Sequence, residues 1–167
     1  MSAKLTDAER LANYASRVGW VGNIPEGHYA IRDPHEPARV TSWRVKAGRL
    51  TVWPKNARVG PIVYRRDLPK GRAEQAAVVA AWMEDRQAYF ATVRAALGVD
   101  PAQAAARYAA VSFRCAMCNR SLRAAESNGY GIGPECRRWM PADLLSAAAR
   151  AASLVRGEVE HGGGDPA

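Results

Sequence analysis

The chain has 167 residues and a mass of 18.1 kDa, which suits one domain or one domain with a small appendage. Its 24 lysines and arginines outnumber 16 acidic residues, giving a formal net charge of +8 and making nucleic acid the first partner to consider. No window has the ~18 consecutive apolar residues of a membrane span, and the N-terminus lacks the apolar segment of a signal peptide. We therefore expect a cytoplasmic protein with no membrane partner.

The N-terminal third predicts a helix followed by a small sheet. Thr6-Asp7-Ala8-Glu9 has the pattern of a capping box, and Gly19 is placed to end a helix that reaches about Arg17. Short runs rich in β-branched and aromatic residues follow between glycines and prolines, and they predict three or four antiparallel strands, with a hairpin turn at residues 46–49. The runs are residues 28–32, 39–46, 49–53 and 62–65.

The rest of the chain predicts helices. Residues 71–97 contain no proline and predict a long helix, with Gly98 as its stop. One helical stripe collects residues that are mostly apolar: Val78, Ala81, Trp82, Asp85, Tyr89, Val93 and Leu97. Asp100-Pro101 predicts the N-cap and first position of a second helix, ending near Ala110. An alanine-rich helix is expected from Pro141 to about Arg156, and then a disordered tail.

Three cysteines form the strongest chemical signal in the chain. Cys115 and Cys118 have the C-x2-C spacing of a metal-binding turn, and Cys136 ends the run Gly-Ile-Gly-Pro-Glu-Cys. Two thiolates on a tight turn and a third from a helix start can hold one zinc ion, and the odd number of cysteines argues against a disulfide framework. Asn119 is suited to the left-handed backbone conformation often found after the second cysteine. The arrangement resembles half of a treble clef.

The fourth metal ligand is open. Candidates are His28, His35, His161, an acidic residue such as Glu135 or Asp143, Ser127, or a water molecule. Three protein ligands plus water is the catalytic zinc pattern, but no H-x-E or paired-carboxylate signature accompanies the cysteines. We therefore expect a structural zinc, no enzyme activity and no small-molecule substrate. Three reduced thiols without metal are the alternative.

The cysteine segment resembles a known family. Its Cys-x2-Cys-Asn-Arg-x-Leu turn, the serine at position 127 and the run Gly-Ile-Gly-Pro-Glu-Cys are similar to the signature of an uncharacterised family found in actinobacteria and their phages. Asn119 stands where that family usually has glycine. The resemblance implies three cysteines as the usual ligand set and an origin in a phage or mobile element, and it implies no substrate.

Basic and aromatic residues surround the cysteines and suggest the function. Arginines fit phosphate, and aromatic rings can stack on bases. The candidate nucleic-acid contacts are Arg114, Arg120, Arg123, Arg137, Arg138, Tyr130 and Trp139. We expect an accessory protein that binds nucleic acid, DNA in the first place.

A protein-interaction module that docks on a host or phage enzyme is the alternative. Its contact patch would be Trp20, Trp43 and Trp53, unless these tryptophans build the core.

The sequence thus predicts an α+β fold in three parts. Residues 1–110 form an α+β domain with a small antiparallel sheet and long helices, residues 111–157 a zinc lobe with the C-terminal helix, and residues 158–167 a disordered tail.

Overall fold

A computed structural model describes residues 24–162, with side chains through Glu158. The order of elements confirms the α+β prediction: three strands come first, and a short 3-10 helix (Arg65–Asp67) and five α-helices follow. They are β1 (Gly27–Arg32), β2 (Val40–Lys46), β3 (Arg49–Trp53), α1 (Arg72–Val99), α2 (Pro101–Ser112), α3 (Ala125–Tyr130), α4 (Pro134–Arg137) and α5 (Ala142–Gly162). The predicted capping box at Thr6, the N-terminal helix and Trp20 lie outside the described residues, as does the chain after Gly162.

The sheet is a three-stranded antiparallel meander in the order β1-β2-β3. Ala47 and Gly48 turn the predicted hairpin with φ of 49° and 70°, and two successive positive φ angles match the right-handed twist of paired strands. The fourth predicted strand, at residues 62–65, is wrong. Pro61 lacks a ladder N–H, and its carbonyl oxygen instead accepts hydrogen bonds from the Trp82 Nε1 and Arg86 Nη1 side-chain groups of α1 (2.9 and 3.2 Å).

One face of the sheet packs against the second half of α1. The strand residues Tyr29, Ile31, Trp43 and Val45 meet Tyr89, Val93 and Leu97 of that helix in the main core. Trp43 is fully buried and belongs to the core, which was the alternative to a tryptophan contact patch. Trp53 is half-buried.

The predicted stripe along α1 is buried only in its last three members. Val78, Ala81 and Asp85 are exposed, and Trp82 is half-buried. The helix also continues through Gly98 to Val99, so Gly98 is not its stop. The end is set by Asp100 and Pro101, since the residue before a proline is disfavoured in helical conformation.

The opposite face of β1 packs against α2. Ala30, Tyr108 and Ala116 form a small buried cluster there. The predicted N-cap is confirmed, because the Asp100 carboxylate accepts a hydrogen bond from the Gln103 amide at 2.9 Å. Helix α2 runs to Ser112 and α5 to Gly162, both beyond their predicted ends, and α5 lies along α2.

Asp33, directly after β1, is a buried carboxylate that ties the strand end to α1. Its Oδ2 accepts a hydrogen bond from the Tyr89 hydroxyl at 2.7 Å, and its Oδ1 accepts from the amides of His35 and Glu36. Burial raises the pKa of Asp33, but these hydrogen bonds outweigh it and hold the pKa below the ordinary value of 3.8.

Asp33→Ala is expected to lower the free energy of unfolding by about 2–3 kcal/mol at pH 7, because the buried Tyr89 hydroxyl loses its charged acceptor. The native pKa is depressed, so this stabilisation is present above about pH 4 and is lost as pH falls through the lower native value. Urea unfolding at pH 7 and pH 3 measures both effects. Asp67→Ala, at an exposed carboxylate, is the control; equal losses in the two variants would contradict the assignment.

No helix in the described part of the chain combines the length and apolar character needed to cross a bilayer.

Candidate metal centre

The first two cysteines lie on a tight turn that follows α2. Phe113 ends that helix in the left-handed conformation, and Arg114 then pairs with Ser121 in an isolated antiparallel bridge. Inside the bridge, the Cys115 amide donates a hydrogen bond to the Arg120 carbonyl oxygen at 2.8 Å. The Asn119 amide donates to the Cys115 carbonyl oxygen, also at 2.8 Å. Asn119 has a φ of 63°, which confirms its predicted left-handed conformation, and its Oδ1 accepts from the Tyr108 hydroxyl.

The third cysteine returns on a short helix. After α3, Gly131 turns the chain with a φ of 66°, and its carbonyl oxygen accepts from the Ala116 amide at 3.1 Å. Gly133 caps α4, Pro134 occupies the first position and Cys136 follows inside the helix, as the sequence predicted. The backbone thereby holds the returning segment against the first two cysteines.

The three sulfur atoms come together in one cluster. All lie within 4.8 Å of one another, with Cys115 buried, Cys136 half-buried and Cys118 exposed. Two thiolates bound tetrahedrally to one zinc ion at about 2.3 Å are about 3.8 Å apart, so small movements would close the cluster on an ion. The residues present therefore fit a metal ion of zinc's size and preference for sulfur.

Hydrogen bonds prepare one of these sulfurs for metal binding. The Gly133 amide donates to Cys115 Sγ at 3.3 Å, and the amides of Cys118 and Met117 also point at this sulfur. A hydrogen bond with the Cys136 side chain is the largest cause that lowers the pKa of Cys115. The three amides lower the pKa further, and burial raises it. The net effect favours the thiolate, which is the form that binds metal.

Within the described side chains, no histidine, aspartate or glutamate joins the sulfur cluster. Glu135 and Asp143 are exposed, and Ser127 Oγ accepts a 3.5 Å hydrogen bond from Arg137. His35 is exposed, and its ring makes an edge-to-face contact with the Tyr89 ring at a centroid distance of 5.0 Å. The side chain of His161 is outside the described set. A fourth ligand would therefore be water or a group from elsewhere.

His28 has a different role, which the sequence did not reveal. Its ring lies between Tyr108 and Trp53, with centroids 5.3 and 5.0 Å away, and its Nδ1 lies 3.3 Å from the Ala116 carbonyl oxygen. A carbonyl can only accept, so Nδ1 carries the proton. Burial is the main cause that lowers the pKa of His28, and it outweighs the raising effect of this hydrogen bond. A neutral His28 thus fastens the cysteine turn to β1.

Four of the five predicted arginines are exposed around the cysteine turn, namely Arg114, Arg120, Arg123 and Arg138. Arg114 Nη1 also donates to the Asn119 carbonyl oxygen at 2.9 Å, which leaves the guanidinium partly committed to the turn. Arg138 lies over the ring of Trp139 at 5.1 Å.

Arg137 is held inside the lobe. Its side chain is 13% exposed, pairs with the Glu126 carboxylate at 2.7 Å and lies 4.8 Å from the Tyr130 ring centroid. Tyr130 and Trp139 are half-buried and pack against the core of the lobe, around Leu122, Ile132 and Met140. The partner Glu126 lies on α3, a helix that the sequence analysis did not predict.

The segment of this chain that is similar to a known protein family contains this site. Residues 105–140, about a fifth of the chain, match the model of a family of unknown function (DUF6011). No curated protein and no solved structure matches the chain significantly. The matched segment runs from the middle of α2 through all three cysteines, so the similarity to an uncharacterised family coincides with the candidate metal centre.

Purified, reduced protein is expected to hold one equivalent of zinc. The zinc content of the Cys118→Ser and Cys136→Ser variants is expected to fall well below one equivalent after dialysis, because two thiolates cannot match the affinity of three. Elemental analysis measures the stoichiometry. Hydrogen exchange should accelerate over residues 111–140 and less in β2 and β3. Ser153→Ala, exposed on α5, is the control. Full zinc retention in both cysteine variants would contradict the site.

Arg137→Ala is expected to lower the free energy of unfolding by about 1–2 kcal/mol, because the packing of a largely buried side chain, its ion pair with the exposed Glu126 carboxylate and its contact with Tyr130 are lost. Arg138→Ala, at the neighbouring exposed position, serves as the matched control and should change stability by less than about 0.5 kcal/mol. Chemical unfolding with zinc present compares the two. Equal effects would show that Arg137 has no special structural role.

Proposed function

We propose that the protein binds nucleic acid, DNA in the first place, through a C-terminal lobe that a structural zinc ion stabilises. The convergence of three thiols from two separate segments carries the proposal. A metal ion there would join the turn at residues 115–118 to α4, and so fix the backbone from which the exposed arginines extend.

Zinc is favoured by the donor set. Three cysteine sulfurs suit a soft or borderline ion, and tetrahedral zinc with thiolate ligands is the commonest structural metal site of this type. Residues Cys115, Cys118 and Cys136 would hold the ion. Bound zinc would supply cross-linking of the two segments.

A structural role is preferred to a catalytic one. Catalysis by a metal-bound water needs a nearby acid or base, and among the described residues no carboxylate or imidazole joins the three sulfurs. The enzyme reading would gain support if a group outside these residues approached the cluster.

The exposed arginines favour a phosphate-bearing partner. Arg120, Arg123 and Arg138 have no acidic partner within 4 Å among the described ion pairs, so their charges remain available. Arg137 contributes by holding the lobe together. The half-buried Trp139 beside Arg138 would offer a limited stacking edge.

An origin in a phage or mobile element and a cytoplasmic location belong to the same proposal. Both rest on the resemblance of the cysteine segment and on the composition of the chain.

A protein-interaction module is the second candidate, favoured by one apolar feature. Phe113 is 65% exposed and Val111 is 47% exposed, and both adjoin the cysteine turn. Trp43 cannot belong to the contact patch predicted from the tryptophans, because its side chain is buried. Pull-down from nuclease-treated lysate separates the candidates, because a nucleic-acid partner is lost after nuclease and a protein partner is kept.

Arg120→Ala/Arg123→Ala is expected to weaken binding to a 20-base-pair duplex and to reduce the slope of log K against log salt by about 1.8, since each phosphate contact contributes about 0.9. Fluorescence anisotropy across a salt series measures the slope. Arg94→Ala/Arg150→Ala removes the same charge from exposed positions on α1 and α5 and should leave the slope nearly unchanged. Wild-type protein that fails to bind at low salt would sink the proposal.

A further inference from the structure

The net charge of this chain is concentrated in two segments. Residues 55–72 contain six basic residues and one acidic residue, and residues 111–140 contain five basic and two acidic residues. The two segments therefore account for the whole net charge of +8, and the remaining residues are neutral in sum. The larger share, +5, lies far along the sequence from the cysteines, between β3 and α1.

All six basic side chains of the segment at residues 55–72 are exposed: Lys55, Arg58, Arg65, Arg66, Lys70 and Arg72. Among the described ion pairs only Arg66 has an acidic neighbour, Asp67, at 3.7 Å, and both side chains are more than half exposed. Exposed pairs of this kind are worth little. The segment therefore presents nearly its full positive charge to solvent.

Contacts with α1 hold the backbone at residues 59–61, in the first half of this segment. Pro61 is fixed by the two side-chain hydrogen bonds from α1, and Arg86 also donates to the Val59 carbonyl oxygen at 3.4 Å. Gly60 has a φ of 69° and lies so close to the Tyr89 ring that a Cβ there would meet it at 2.5 Å. A surface fixed in this way loses little conformational entropy when a partner binds.

A cleft with aromatic walls opens beside the charges. Its volume is about 360 Å³, at the small end of ligand pockets, and Ile62, Tyr64 and Trp82 line it together with Arg58 and Arg86. Tyr64 is 38% exposed, and the guanidinium groups of Arg58 and Arg66 lie 5.7 and 5.0 Å from its ring centroid. None of the described residues that line this cleft is acidic.

We propose that the surface formed by residues 55–72 and the Trp82 face of α1 binds single-stranded nucleic acid, with one base in the cleft against Tyr64 and the flanking phosphates on Arg58, Arg65 and Arg66. An unpaired base offers the flat ring that an exposed aromatic accepts, and the backbone offers the negative charge that this segment lacks. An acidic protein segment would satisfy the arginines but leave the aromatic cleft unfilled. A duplex would keep its bases stacked and out of reach.

The inference extends the proposed function, because both surfaces would contact the same kind of polyanion. It does not need the zinc lobe, since none of its residues lies near the cysteines in sequence or shares their core cluster. The two surfaces can therefore be tested separately.

The test measures binding of fluorescein-labelled (dT)20 and (rU)20 by anisotropy over a range of salt concentrations. Tyr64→Leu should weaken binding by roughly 5- to 150-fold, the loss that removal of one base-stacking contact gives. Arg65→Ala/Arg66→Ala should reduce the salt slope by about 1.4, because each phosphate contact on a single strand contributes about 0.7. The double variant Arg94→Ala/Arg150→Ala is the charge-matched control, and the ratio of the two affinities shows whether DNA or RNA is preferred.

Each failure has its own signature. If Tyr64→Leu and Arg65→Ala/Arg66→Ala bind like wild type while Arg120→Ala/Arg123→Ala binds more weakly, this inference is overturned and the zinc-lobe proposal stands. The reverse pattern supports this inference against the zinc lobe. Displacement of (dT)20 by a polyglutamate peptide of equal charge, or equally tight duplex binding that ignores Tyr64→Leu, also overturns it. Absence of binding to (dT)20 and (rU)20 at low salt overturns this inference alone, and failure to bind the 20-base-pair duplex as well overturns both proposals.

Discussion

The structure depends on the backbone of one small residue, Ala116, in the middle of the cysteine turn. Its carbonyl oxygen accepts from the His28 amide at 2.7 Å, and its amide donates to the Gly131 carbonyl oxygen at 3.1 Å. The sheet, the C-x2-C turn and the segment that returns Cys136 thus meet at the backbone of a single residue. A Cβ on Gly27 would approach the same carbonyl oxygen at 3.1 Å, so the close contact between β1 and the turn also needs a glycine.

This junction gives the metal site a position in the fold. The cysteine turn is attached to β1 by two hydrogen bonds from His28, and β1 in turn packs against α2 and carries part of the main core. Metal binding would tighten a turn that the sheet already holds. A lobe of this size has a small apolar core of its own, and coordination would add to what that core supplies.

Local signals in the sequence predicted the local structure well. The C-x2-C spacing, the left-handed Asn119, the Asp100-Pro101 helix start and the hairpin turn all depend on neighbours within a few residues, and the structure confirms them. The small antiparallel sheet and the long helix also follow from composition and from the positions of glycine and proline. Apart from the Gly98 stop, which the neighbouring Asp100-Pro101 overrides, what failed required distant partners. The run at residues 62–65 has strand composition but pairs with no strand, and the Pro61 carbonyl oxygen just before it accepts hydrogen bonds from Trp82 and Arg86 of α1, more than 20 residues away.

The same limit applies to the site. Sequence reasoning offered His28 as a metal ligand, because it could not see that Ala116, 88 residues away, takes its ring N–H. It counted Arg137 among surface contacts, because the acidic partner Glu126 lies on a helix with no clear periodic signal. The composition showed the sign of the net charge but not where the charge lies. The basic residues at positions 55–72 form one surface because α1 holds part of the backbone that carries them.

The contact between α2 and α5 sets a narrow limit on how this protein can vary. Ala106, Ala151 and Ala152 are buried there with Val155, and Ala109 stands 3.0 Å from where a Cβ on Gly131 would be. Methyl side chains keep the axes of α2 and α5 close. One methylene added to any of these alanines would force the helices apart and shift the Gly131 carbonyl group that accepts the hydrogen bond from the cysteine turn. Alanine at these buried positions is therefore a requirement of spacing, because the close approach of the two helices sets the position of the segment that returns Cys136.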